Sequence, residues 1–263
     1  MFNSSEKILL CSKPTELEFF AQAAFLVFIL LATVFGNVLV ISTVFLSRQI
    51  RSLKANYFIA SLAVSDLLVA LVSLPLRLDQ TIHNMNWCLG SNACAIWIWS
   101  DIICSAASIA NLAVISIDRF VALSSPLTYK MKMTKINAFR LIAFVWLYSL
   151  LWASLSFINW SNPGTPSIHT AKECGKDDPI YYTVAIVTGL LVPLSIFVVN
   201  YCRIFLIAKH QASSLARSVP TLYTVKNIKA AKTIAIVGCT FTISWLPFTI
   251  IFVVSLWCKE CID

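Results

Sequence analysis

Glycine is scarce in this chain, with six among 263 residues, and Asp, Glu, Lys and Arg together make up only 12%. A soluble domain of this length carries about 25% charged residues. No segment alternates apolar and polar residues as a barrel strand does, so helices must satisfy the backbone in lipid. No apolar run lies before the first spanning segment in "MFNSSEKILLCSKPTELEFF", so that segment is expected to act as an uncleaved anchor. The Cys258-Lys-Glu-Cys261 run has no second half elsewhere that would complete a zinc site. The three histidines, His83, His169 and His210, fall at or beyond helix ends, and Asp66 and Asp101 lie at different depths. The facing Ser–His pair or paired acids of an intramembrane hydrolase are therefore lacking, and no enzyme is expected.

What the chain has is apolar length. Hydrophobic residues make up 59%, and mean hydropathy is +0.81. Six segments, roughly 20–47, 55–82, 93–123, 138–159, 180–208 and 229–257, each exceed the ~20 residues that cross ~30 Å of hydrocarbon. The expected fold is all-α, a polytopic transmembrane helix bundle. Residues 1–19 form an outer N-terminal segment, 20–257 the bundle, and 258–263 the start of an outer loop. Under this division 14 of the 20 Lys and Arg fall on one side and nine of the 12 acids on the other. The net charge of +8 thus follows the positive-inside rule with the N-terminus outside, and implies no nucleic-acid partner. Asn3-Ser4-Ser5 is a glycosylation acceptor sequence on the outer side. Cys104, Cys202 and Cys239 fall in helices, where they are expected as small buried hydrophobes. Cys11, Cys88, Cys94, Cys174, Cys258 and Cys261 fall outside, an even number in an oxidising compartment whose pairing the residues leave open.

Few charges sit within the spans. Asp101, in "WIWSDIICSAAS", stands in an apolar helix, where burial of an unpaired carboxylate costs several kcal/mol. Asp101, Ser105 and Ser108 follow i, i+4, i+7 and share one helix face. No buried Lys or Arg is evident as a partner. The face reads either as the wall of a polar cavity open to the outside or as an acid satisfied by a neighbouring helix. Asp66, in "SLAVSDLL", with Asn37 as its expected neighbour, suggests a hydrated pocket for a small cation or a structural hydrogen-bond knot. Pro75, Pro193 and Pro247 interrupt three spans and mark kinks where cavities open. Trp245 and Phe248 flank Pro247, either as core packing or as a floor for an organic cation.

Read in order, the chain carries Gly36-Asn37, "LAVSD" ending at Asp66, Trp87 with Gly90, Cys94, Asp118-Arg119-Phe120, Trp146 and Cys174. Pro193 with Tyr201 and Phe241…Trp245-Leu246-Pro247-Phe248 complete the series. Together these resemble the class A (rhodopsin-like) G-protein-coupled receptors, and within them the biogenic-amine and trace-amine group. The resemblance implies a seven-helix architecture of which six helices are present, the sequence ending in what resembles the third outer loop. It implies a plasma-membrane receptor in lipid, able to associate with other receptor chains. Its ligand is a small protonated amine on Asp101, in a site with Ile102, Ser105, Ala185, Gly189, Trp245, Phe248 and Thr249. A heterotrimeric G protein is met by Asp118, Arg119, Phe120, Leu127 and Tyr201. The resemblance assigns an allosteric sodium ion, and no other cofactor, to Asn37, Asp66 and Ser108. It also assigns a Cys94–Cys174 disulfide, with Cys258–Cys261 as a further candidate. Receptors for catechols place serines on the fifth helix where Ala185, Ile186 and Gly189 stand here, so a trace-amine-like ligand is expected rather than a catechol. The alternatives are a receptor of this architecture for a non-amine ligand and a non-signalling six-helix chain.

Overall fold

The computed structural model describes residues 11, 16–51, 54–168, 173–176, 178–214, 236, 238–240, 242–243, 245–247, 249–255 and 257–258. Six helices are long and apolar enough to cross a membrane: α1 (Leu17–Leu46), α2 (Ala55–Ile82), α3 (Gly90–Ser124), α4 (Lys135–Leu155), α5 (Pro179–Ile207) and α6 (Gly238–Ser255). Among the described residues there is no β-strand. Asn3, Cys261, Phe241 and Phe248 lie outside the described residues.

The spans match the apolar segments, with shifts that have local causes. α3 begins at Gly90, whose φ of +84° suits glycine, and the Trp87 indole donates to its carbonyl at 2.7 Å. α4 begins after Thr134, which caps it by accepting from Asn137 N at 3.2 Å. It ends at Leu155 although Phe157 and Ile158 continue the apolar run. There Asn159 turns the chain, accepting from Asn162 N at 2.9 Å and donating to Thr165 Oγ1 at 2.9 Å. Hydropathy reads composition, and this boundary is set by hydrogen bonds.

α3 is the axis of the bundle, packing against α2, α4 and α5. Short polar contacts between small residues hold the helices close where lipid offers no water. Ser65 and Ser108 hydroxyls lie 2.8 Å apart, Trp146 Nε1 donates to Ser61 Oγ at 3.1 Å, and Asn200 Nδ2 donates to Ser116 Oγ at 3.1 Å. Large apolar side chains such as Phe20, Phe28 and Phe35 of α1 face outward, as a helix in hydrocarbon requires. Cys104 is buried, whereas Cys202 and Cys239 are exposed and line an apolar cleft between α5 and α6. The expectation of burial fails for these two because the surrounding hydrocarbon, and not protein alone, receives them.

Two prolines widen their helices. Before Pro75, the Leu74 N–H reaches five residues back to the Val69 carbonyl. Before Pro193, the Val192 N–H reaches Val187 in the same way. Pro193 has no N–H to give, and the Thr188 carbonyl in that turn accepts instead from the Tyr148 hydroxyl of α4 at 2.9 Å. Lower in α5, the Phe197 ring lies so close to Gly238 of α6 that a Cβ built there would overlap it. Gly238→Ala is therefore expected to cost about 1–3 kcal/mol through overpacking, read as a lower melting temperature in detergent.

Candidate functional site

α3, α5 and α6 together enclose a cavity of 360 Å³ toward the Cys94 end of the bundle. Asp101, Ile102 and Ser105 of α3, Ala185 and Gly189 of α5, and Trp245 and Thr249 of α6 all line it. Seven of the eight expected ligand-site residues thus share one space, and the eighth, Phe248, lies outside the described residues. Sequence reasoning missed the rest of the wall, half of it aromatic (Trp152, Tyr181, Tyr182 and Phe252) and half aliphatic (Ala106, Ile109, Ile186 and Leu190). Asp101 is exposed into this space. Several other polar groups are already engaged. The Thr249 hydroxyl donates to the Trp245 carbonyl at 2.8 Å, Tyr181 Oη to the Trp152 carbonyl at 2.8 Å, and Thr188 Oγ1 to the Val184 carbonyl at 2.7 Å.

One carboxylate outside the cavity fixes the α4–α5 wall. Asp178 caps α5, accepting from Tyr181 N at 3.1 Å, and also from Trp160 N and Ser161 Oγ, each at 2.7 Å. Lys176 Nζ donates to it at 3.1 Å and to the Ile158 carbonyl at 2.9 Å, with the ammonium 4.7 Å from the Tyr181 ring centroid. Both side chains are fully buried. Burial pushes the Lys176 ammonium below its ordinary value. For Asp178 burial works upward, but the donors from Trp160, Ser161, Tyr181 and Lys176 outweigh it and hold the carboxyl below its ordinary value. The sequence did contain a signal: Asp followed by Pro is a helix start, cap then first residue.

Two disulfides close this end. Cys94–Cys174 ties the start of α3 to the segment before α5, and Cys11–Cys88 ties the N-terminal segment to the α2–α3 turn. The second pairing was one arithmetic possibility among several; the fold brings the two cysteines together because Glu16 N also donates to Asn84 Oδ1, at 3.0 Å, in that turn. Cys258 is disulfide-bonded, and Cys261 lies outside the described residues. Arg77 of α2, which is half-buried, lies within electrostatic range of the Asp101 carboxylate, and among the described residues no ion pair joins the two.

A second cavity, of 420 Å³, adjoins the first and shares Asp101, Ser105 and Trp245 with it. Asn37, Asp66 and Ser108 all line it. Ser108 Oγ donates to Asp66 Oδ1 at 3.4 Å, and Asn37 Nδ2 donates to the Thr33 carbonyl of its own helix at 2.9 Å. The oxygen-rich donor set, one carboxylate with hydroxyls, suits a small hard cation.

At the far end of α3, Arg119 Nε donates to Asp118 Oδ2 at 2.9 Å, and Tyr129 Oη donates to Asp118 Oδ1 at 2.9 Å. Both charged residues are buried. Phe120 and Tyr201 pack against Leu123 and Ile204, while the Tyr201 hydroxyl is buried without a partner. No hydrogen bond therefore joins the Tyr201 hydroxyl to Arg119 in this arrangement. Leu127 is 80% exposed and projects from the short helix Pro126–Lys132.

The profile of the seven-transmembrane receptors of the rhodopsin family matches residues 36–263. The D(1A) dopamine receptor of Didelphis virginiana is 36% identical over 90% of this chain and 61% of that receptor. The D(1B) dopamine receptor of Xenopus laevis is 36% identical over 83% of the chain and 54% of the receptor. The D(1) dopamine receptor of Carassius auratus is 34% identical over 90% and 74%. The chain thus spans 54–61% of the first two receptors' length. With six membrane-capable helices, of which α2, α4 and α5 pack against a buried α3, the chain belongs to the rhodopsin family of seven-transmembrane receptors.

Proposed function

We propose that this chain is the ligand-binding bundle of a plasma-membrane receptor that holds a small protonated amine on Asp101 and acts on a heterotrimeric G protein. The observation that carries the reading is a carboxylate exposed into a cavity whose wall is otherwise largely apolar and aromatic. An ammonium satisfies that charge through a charge-assisted hydrogen bond, and the aromatic wall takes both the organic part and the cation face. The similarity to dopamine receptors supports an amine ligand. N-terminus outside is supported by the basic residues on the opposite side and by the two disulfides at the Cys94 end.

G-protein contact is assigned to the Asp118–Arg119–Phe120 end with Leu127 as its apolar knob, since an 80% exposed leucine beside a buried ion pair suits a docking face. Sodium binding is assigned to Asp66 and Ser108, with Asn37 beside them. Lipid contacts fall on outward faces such as that of α1. The finer ligand class is an arylalkylamine that needs no catechol. Ala185 and Gly189 carry no hydroxyl at the positions where catechol receptors place serines, and Thr188 is bonded within its own helix. The relatives' printed ligand, dopamine, is the competing reading. Competition binding on membranes decides between them: tyramine should bind at least as tightly as dopamine, and dopamine tighter by tenfold or more would establish the catechol.

A further inference from the structure

Two carboxylates on different helices open into one space. Asp101 of α3 and Asp66 of α2 both line the 420 Å³ cavity, and Asp101 also lines the adjoining 360 Å³ cavity with its aromatic side chains. Ser105 and Ser108 of α3 face the same space. Asp66 Oδ1 accepts from Ser108 Oγ, and Ser108 lies seven residues after Asp101, so the two acids stand about 10.5 Å apart along the bundle. Neither is neutralised by the protein. Among the described residues no Lys, Arg or His lines either cavity, and neither acid forms an ion pair. The Ser108–Asp66 hydrogen bond, at 3.4 Å, is longer than the ~2.5–3.0 Å of a good O–H···O contact. The Asn37 amide turns instead to the Thr33 carbonyl of its own helix.

A monoamine on Asp101 leaves the charge of Asp66 to a sodium ion. The inner cavity is larger than that needs, since an ion with about six waters fills roughly 200 Å³. Much of its remaining wall is aliphatic, with Leu62, Val69, Leu74 and Leu112, and suits methylene groups better than water. We infer that the preferred ligand is a diamine: an arylalkylamine whose first ammonium pairs with Asp101 and whose alkyl arm carries a second ammonium to Asp66. A four-carbon arm spans about 6 Å between its nitrogens, and a charge-assisted hydrogen bond of about 2.8 Å at each end lets it bridge the two acids. A two-carbon arm is about 2.5 Å shorter and falls short of Asp66. Once the first ammonium is seated, the second meets its acid at high effective concentration. The inference rests on the amine reading and narrows its ligand class.

The test is competition against radiolabelled phenethylamine on the full chain in nanodiscs, with two matched ligands. One is N-(4-aminobutyl)phenethylamine; the other is N-pentylphenethylamine, in which a methyl group replaces the terminal ammonium. The diamine should bind at least tenfold tighter. Asp66→Asn should erase that advantage and bring the two within threefold of each other. Where that variant does not fold, arm length decides on the unmodified chain: N-(2-aminoethyl)phenethylamine should bind at least tenfold more weakly than the four-carbon diamine. Equal binding of the matched pair, equal binding of the two diamines, or an advantage that survives Asp66→Asn overturns the inference, and the labelled phenethylamine still bound leaves the amine reading standing. No binding of the labelled phenethylamine overturns the amine reading, and the inference with it.

Discussion

Asp101→Asn is expected to lower phenethylamine affinity at least a hundredfold without lowering the melting temperature. The substitution preserves shape and hydrogen-bonding capacity and removes only the charge. A hundredfold corresponds to about 2.7 kcal/mol, within the range for losing one partner of a desolvated, hydrogen-bonded charge pair. Stability should hold or rise, because Asp101 is exposed into the cavity and caps no helix, and a neutral amide costs less than a carboxylate in apolar surroundings. Saturation binding and a thermal melt on the same preparation separate the roles. A structural acid would lower both readouts together, whereas a ligand anchor lowers affinity alone.

Asp178→Asn is expected to have the largest effect on stability, about 3–5 kcal/mol, the range for breaking a buried pair by removing one partner. The carboxylate collects four donors, from Trp160, Ser161, Tyr181 and Lys176, and the asparagine leaves the fully buried Lys176 ammonium without its counter-charge. Lys176→Met added to Asp178→Asn should restore part of the loss. Asp178 also carries a pH signature. Its folded carboxyl lies below the ordinary value, so its stabilisation is fully present above about pH 4 and is lost as the pH falls through the folded value. Lys176 lies below its ordinary value as well. On the alkaline side the unfolded chain therefore holds the extra proton, and stability rises with pH there. Melts of the parent chain should fall steeply below pH 4, while those of Asp178→Asn stay comparatively flat.

Because Tyr181 lines the ligand cavity and its backbone N–H rests on Asp178, the same variant should weaken amine binding through a displaced α5 wall. Restoring stability with the double substitution would then recover affinity as well.

Helical spacing carried only part of the candidate site, and the resemblance to amine receptors supplied Ile102, Ala185, Gly189 and Thr249. Asp101 and Ser105 share a face by spacing alone, and Pro247 marked Trp245 on the sixth span as a candidate for the same cavity. The span limits were legible wherever hydropathy decides them. They failed at Phe157 and Ile158, where Asn159 turns an apolar run. Loop chemistry was the main blind spot. Lys176 and Asp178 are two residues apart in a short polar stretch, and nothing in that spacing shows that four separate donors converge on one oxygen pair. Cys11–Cys88 needed the fold, since several pairings satisfy the same count. Cys202 and Cys239 were assigned to a protein core, but an apolar solvent surrounds this chain.

The central claim is that the cavity selects its occupant by positive charge at Asp101. The most direct measurement compares phenethylamine with 2-phenylethanol, an uncharged molecule of nearly the same shape, for binding to the unmodified chain in nanodiscs. Phenethylamine binding at least tenfold tighter than the alcohol is the predicted result. Equal affinities would contradict the account, because the apolar wall would then be selecting shape with no contribution from the carboxylate.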